Sequence, residues 1–329
     1  MAKLQLSIAV GDYDRMRPLM DGFVQIDGVD PVFMRLTPEE IFFRAMRQAE
    51  FDICELSLSS FSVRTARADN PYVGVPVFPS RAFRHTSIYI RTDHGIDKPE
   101  DMRGRRIGVP EYQLTANVWA RAILDDEHGV KASDITWVRA GLNQPGRVEK
   151  VALNLPPDIR IEDAPADATL SAMLARGEID GVIAPRPPAG FGTDPNIGWL
   201  FPDPITAGSD YFRRTRIFPI MHLLGLRRTI AEQHPWLPGA LYKAFETSKN
   251  LALERLADDS ASKATLPFVE VHVLRMRELM GQDYWPYGVT PNRHTLETFL
   301  RHHHRQGLSD RLVTVDELFH PATLETFRV

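Results

Sequence analysis

The sequence predicts an α/β protein of two lobes, joined by two crossover strands, with the ligand site in an inter-lobe cleft. Three observations carry this. The first eighty residues alternate strand and helix, the pattern of a parallel sheet covered by helices. A second strand–helix series begins after residues 77–91, VFPSRAFRHTSIYIR. An apolar strand holding one histidine, FPIMHLLGL at 218–226, then leads into a mostly helical remainder.

In order, residues 4–10 read as a first strand, closed by Gly11-Asp12-Tyr13-Asp14, and a helix is expected over 15–21. Residues 32–36 form a short strand. Thr37-Pro38-Glu39-Glu40 reads as a helix start, with Thr at the cap, Pro at the first helical position and Glu at the third. Ile41, Phe42, Ala45 and Met46 give that helix one apolar face. Residues 51–56 are a strand, and Ser57, Ser59 and Ser60 lead into a helix through Arg67. Pro79 to His85 reads as a loop before a strand with Ser87, Tyr89 and Arg91 on one face and Ile88 and Ile90 on the other.

In the second series, 105–109 and 135–138 are strands around a helix at 115–128. Residues 141–168 read as loops around one strand, 168–176 as a helix ended by Gly177, and 179–184 as a strand. Further helices are expected at 238–257, 271–280, 294–306 and 315–319. Lobe one is then 1–85 plus 222–329, lobe two 90–217, and the crossovers lie near 86–91 and 217–226.

At 329 residues the chain can bury a sizeable core, and the length fits two domains. A net charge of −4 argues against a nucleic-acid surface. Cys54 is the one cysteine, so no disulfide forms within the chain, in keeping with a reducing compartment. The opening MAKLQLSIAVGDYDRM is too short and interrupted in its apolar run for a signal peptide, and no stretch approaches the ~18 apolar residues of a membrane-spanning helix. A cytoplasmic protein without membrane or nucleic-acid partners is expected; a homo-oligomer is left open.

Ligands of open α/β sheets bind at the carboxyl ends of strands. Those ends carry Asp12, Tyr13 and Asp14, then Glu55, Ser57, Ser59 and Ser60, then Ser80, Arg81, Arg84 and His85, then Glu111, Tyr112 and Thr115, then Arg186, and finally Tyr211, Arg213, Arg214 and His222. Arg suits carboxylates because its planar fork meets both oxygens, and hydroxyls at helix starts suit an anion near the helix dipole. Each has a plainer alternative. The serines can cap a helix, Glu111 can be a solvated turn residue, and His222 can be a satisfied core histidine. Trp119 reads as core, and His302-His303-His304 as a solvated helix face. The aromatic run Asp283-Tyr284-Trp285-Pro286-Tyr287-Gly288 fits either packing between lobes or a lid over an aromatic ligand. No metal-ligand spacing and no glycine-rich phosphate loop is present.

The segments PVFPSRAFRHTSIYIR, DMRGRRIGVPEYQLTANVWARAIL, TLSAMLARGEIDGVIAPRPP, YFRRTRIFPIMH, HPWLPGALYKAFE and MGQDYWPYGVTPNRHTLETFL resemble the 4,5-dihydroxyphthalate decarboxylase family. The resemblance runs over nearly the whole chain. It implies a type II periplasmic-binding-protein-like fold, a small aromatic carboxylate substrate, and loss of one carboxylate as carbon dioxide.

On that expectation Arg81, Arg84 and Arg186 hold carboxylates, and His85 is the acid, because imidazole changes protonation near neutral pH. Glu111 is the partner of the phenol, with its role open to exchange with that of His85. Ser59, Ser60, Ser80, Tyr112, Thr115, Arg214 and His222 complete the expected substrate-binding set. No cofactor is expected; a divalent metal is left open, without a ligand set. The competing reading is a non-catalytic solute-binding protein for a small aromatic or carboxylate ligand, as in a transporter's receptor, since fold does not fix function.

Overall fold

The computed structural model describes residues 3–258 and 260–325. In chain order its regular elements are β1 Leu4–Val10, α1 Arg17–Met20, β2 Val29–Arg35, α2 Pro38–Gln48, β3 Ile53–Ser57, α3 Leu58–Ala66 and β4 Tyr72–Arg81. There follow β5 Ile88–Arg91, β6 Arg106–Val109, α4 Thr115–His128, β7 Thr136–Arg139, β8 Arg160–Asp163, α5 Leu170–Ala175, β9 Gly181–Ile183, β10 Ile197–Trp199 and α6 Pro204–Thr215. The chain ends with β11 Ile220–Arg227, α7 Arg228–Gln233, α8 Leu237–Ala257, α9 Val269–Met280, α10 Arg293–Arg305 and α11 Val315–Leu318. The chain divides into two compact units: unit 1 is Met1–Arg81, Ile220–Leu296 and Thr314–Val329, and unit 2 is Ala82–Pro219 and Glu297–Val313.

Unit 1 has the sheet β2-β1-β3-β11-β4. β1 runs parallel to β2 and β3, and β11 runs antiparallel to β3 and β4. The inner strands are apolar because both faces are covered; Ile8, Ile53, Leu56, Leu223 and Leu224 are all buried. β4 differs from the sequence expectation. It takes in Pro76 and runs on through Pro79, Ser80 and Arg81, where a loop is expected. Proline lacks a ladder donor and is tolerated on an edge strand, which β4 is. Its outer side meets the chain end, where the His320 amide donates to the Gly74 carbonyl. A Cβ at Gly74 would lie 2.5 Å from the Leu318 carbonyl, so only glycine fits.

Unit 2 has the sheet β10-β5-β9-β6-β7-β8, with β6, β7, β8 and β9 mutually parallel and β5 antiparallel to β9. Val138, Leu170, Leu174, Ile179 and Val182 pack together on it. α4 matches its expected span and is closed by Gly129 in the left-handed region, φ 63°. α6 is absent from the sequence reading. Its signal is Asp203-Pro204, where the Asp203 carboxylate accepts from the Ile205 and Thr206 amides. Tyr211, Arg213 and Arg214 therefore lie on a helix rather than at a strand end.

The C-terminal part is not one piece of lobe one: Glu297–Val313 group with unit 2. Phe299 tilts against Trp119, ring centroids 5.5 Å apart, and the Gln306 side chain accepts from Arg121 Nε (2.7 Å) and donates to the Val118 carbonyl. The same packing overturns the solvated reading of the histidine run. His302 and His303 are fully buried. His302 Nε2 pairs with Asp126 at 2.7 Å, and His303 Nδ1 with the Ser309 hydroxyl at 3.2 Å.

Candidate active site

β1, β3 and β4 run in one direction and β11 in the other, so the ends of the first three and the start of the fourth share one edge of the unit 1 sheet. His222, near the start of β11, stands opposite Ser57 at the end of β3 and Ser80 near the end of β4. Beside it lies Glu55, fully buried on β3. Glu55 Oε1 pairs with His222 Nδ1 at 2.5 Å and accepts from the Tyr13 hydroxyl at 2.9 Å; Oε2 accepts from the Gly11 amide at 2.9 Å. Burial alone would raise the Glu55 carboxyl, but the His222 ring and these donors outweigh it and hold it below the usual carboxylate range. Burial, with Glu55 adding, pushes the Tyr13 phenol well up, so it stays a donor.

The Tyr13 ring folds back over Gly11. A Cβ there would lie 2.5 Å from the ring, so glycine is what lets the phenol reach Glu55. The outer face of Tyr13 carries the Arg15 guanidinium at 4.3 Å, which is also 4.5 Å from the Trp285 ring. Arg15 Nε donates to the Pro79 carbonyl at 2.6 Å, and its Nη1 to Asp14 at 3.1 Å. Phe42 meets the His222 ring edge-on at 4.9 Å.

The aromatic loop 283–288 packs on β4 of its own unit. Trp285 Nε1 donates to the Phe78 carbonyl at 3.0 Å, and the buried Lys249 ammonium holds both Asp283 oxygens at 3.0 Å. Arg81 holds the same segment, donating to the Pro286 carbonyl at 2.6 Å and to the Asn292 side chain. Burial lowers its pKa to about 9. The expected carboxylate grip is thus a buried fastener of loop to strand. Ser59 and Ser60 are buried in the first turn of α3; Ser57 stands at the cap without a side-chain cap bond.

In unit 2, the starts of β5 and the ends of β6 and β9 likewise share an edge. Glu111 is not a solvated turn residue. It is fully buried, with Oε1 accepting from Lys150 Nζ (2.5 Å) and Arg147 Nε (2.8 Å), and Oε2 from the Lys150 amide (3.1 Å). Tyr112 is buried, its hydroxyl donating to the Gln306 carbonyl and its ring carrying the Arg121 guanidinium at 3.8 Å. Thr115 opens α4 and is buried. Arg84 donates to the Ser87 hydroxyl at 3.3 Å, and burial lowers its pKa to about 10. Arg186 is exposed after β9. Arg214 is exposed on α6 and paired with Glu127 of α4.

His85 is buried between Phe201 and Tyr211, ring centroids 4.9 and 5.5 Å away, and its Nδ1 has no hydrogen-bond partner among the described residues. Burial first, then the charges of His128 and Arg214, lower its pKa from 6.5 to about 4. The unfolded chain therefore binds the proton first as pH falls. Stability is expected to drop by ~3 kcal/mol on acidification from above pH 6.5 to below about 4, a slope that His85→Gln removes. Melting temperature against pH for the two proteins checks this.

Asp125, Asp126 and His302 bring one ligand atom each within 4.8 Å of one another. Arg305 and Arg301 pair with the two carboxylates at 3.0 Å each, which accounts for the cluster as an ion-pair network. No helix among the described residues is long and apolar enough to cross a membrane.

Tyr13, Arg15, Glu55 and Trp285 gather around His222 and lie outside the expected catalytic and substrate-binding set, although the sequence places Tyr13 and Glu55 at strand ends and Trp285 in the aromatic run. The legible signal for Glu55 is a carboxylate inside an otherwise apolar strand, Ile53-Cys54-Glu55-Leu56.

Two α/β units of this topology, with acid–base side chains gathered at strand ends, define a periplasmic-binding-protein-like scaffold. The periplasmic aliphatic sulphonate binding protein SsuA from Escherichia coli superposes with a TM-score of 0.54 at 14% identity, covering 100% of this chain and 96% of that one. No family model matches the chain. A 4,5-dihydroxyphthalate decarboxylase from Comamonas testosteroni is 61% identical over 330 residues, spanning 100% of both chains. A second, from Pseudomonas putida, is 63% identical over 214 residues, 65% of this chain and 83% of that one. The chain belongs to the 4,5-dihydroxyphthalate decarboxylase family.

Proposed function

We propose that this chain is a carboxy-lyase that converts 4,5-dihydroxyphthalate to protocatechuate and carbon dioxide. The observation that carries this is 61% identity along the full length of a relative bearing that name. The chemistry sets what the protein must supply. Each carboxylate is para to a ring hydroxyl. As that hydroxyl gives up or shares its proton, electron density moves to the carbon bearing the carboxylate. That carbon takes a proton from an acid, the bond to the carboxylate breaks, and its electron pair restores the aromatic ring. One proton is consumed and one carbon dioxide leaves. The para oxygen provides the electron push, so no electron sink is required.

His222 is the proton donor in this reading, taking the place of His85, whose enclosed imidazole is neutral at neutral pH. Arg15, whose guanidinium lies over the Tyr13 and Trp285 rings, joins the candidates for a carboxylate. Arg84, Thr115 and Arg186 remain proposals for anion binding at the strand edge of unit 2.

Purified protein mixed with 4,5-dihydroxyphthalate is expected to release one carbon dioxide per substrate, with the ultraviolet spectrum moving to that of the monoacid. Turnover is expected to survive exhaustive chelation. Saturable binding without product would favour the solute-binding reading.

A further inference from the structure

We propose that Glu55 is the positioning residue of the catalytic centre: it grips His222 by Nδ1 so that Nε2 is presented as the acid that protonates the ring carbon. This deepens the decarboxylase reading and rests on it.

Four features of the site carry the inference. The carboxylate is built in from three sides: His222 Nδ1 and the Tyr13 hydroxyl meet Oε1, and the Gly11 amide meets Oε2. A carboxylate with three donors is fixed in place and fixes the ring that it holds. With Nδ1–H held by Glu55, Nε2 gives its proton from the imidazolium form, and the ring is left as the neutral Nδ1–H tautomer until solvent returns one proton per turnover. His222 Nε2 has no hydrogen-bond partner among the described residues, and the side chain is 17% exposed, whereas Glu55 is fully buried. One end of the pair is therefore sealed and the other open.

Among the described residues, the groups around His222 are few. Tyr13 and Glu55 are the titratable ones; Ser57 and Ser80 stand opposite it on the flanking strands, Phe42 touches its ring edge, and Arg15 lies beyond Tyr13. A structural ion pair is the plainer account. Buried pairs contribute little stability over apolar residues of similar size, and such a pair has no need of an open nitrogen at a sheet edge.

Glu55→Gln keeps shape and one acceptor but loses the charge. It is expected to lower kcat ~10²-fold or more with KM within about threefold, a split that general loss of structure would not give. The low-field proton resonance of His222 Nδ1–H is expected in the parent and lost in the variant. Tyr13→Phe, a milder change, is expected to shift that resonance and lower kcat up to about tenfold. Near-parental kcat in Glu55→Gln overturns the proposal; if that variant does not fold, an unshifted resonance and unchanged kcat in Tyr13→Phe overturn it. A parent without turnover overturns the decarboxylase reading instead. The Nδ1–H resonance, compared between parent and Glu55→Gln, then decides the grip of Glu55 on His222 by itself.

Discussion

His222→Gln is expected to lower kcat by ~10²–10⁴-fold while substrate affinity changes less than about threefold, because an acid acts in the transition state and contributes little to ground-state binding. The glutamine amide can still donate to Glu55, so the buried carboxylate keeps a partner and the sheet edge keeps its shape. What the variant lacks is a proton to give at the Nε2 position. Carbon dioxide release under saturating substrate, with substrate affinity measured by calorimetry, separates the two quantities. Turnover within a few-fold of the parent would remove His222 from the chemistry and return attention to unit 2.

The second large effect concerns stability. Lys150→Met is expected to cost ~3–5 kcal/mol, because it takes the nearest cation from a carboxylate with no exposure to water. The residue 150 backbone amide still donates to Glu111 Oε2 in the variant, and Arg147 still meets Oε1, at 2.7 Å, but Arg147 is partly exposed and does not replace the buried ammonium. The urea midpoint reads the loss. Glu111→Gln gives the contrast. It is expected to lower stability much more than turnover in the protein that remains folded. A Glu111→Gln protein as stable as the parent yet without activity would instead put Glu111 in the chemistry, where the sequence alone had suggested it.

These two residues show why the candidate site was half legible. Strand ends were readable, because apolar runs stop where the chain leaves the sheet. Glu111 is legible in that way, whereas His222 stands out as the one titratable side chain within the apolar run 218–226. Their surroundings were not readable. Lys150 lies 39 residues beyond Glu111, and Glu55 lies 167 residues before His222. Nothing local reports such pairings. Arg81 illustrates the same limit. A guanidinium beside Pro79 and Ser80 looks like an anion grip until Pro286 and Asn292, about 200 residues away, are seen to accept from it. The histidine run failed for a related reason. Three polar neighbours suggest water, but a helix turns by 100° per residue, and two of the three rings point inward where Asp126 and Ser309 receive them.

The sequence by itself determined the α/β class, the extents of α4 and α8 to within a residue or so, and the family, since periodicity, caps and long motifs are properties of neighbouring residues. Only the tertiary structure decided which polar groups are sealed inside and which keep an open atom. That outcome depends on strand order and long-range pairing: a carboxylate buried among donors is a brace, whereas an imidazole held on one side and open on the other is a reagent.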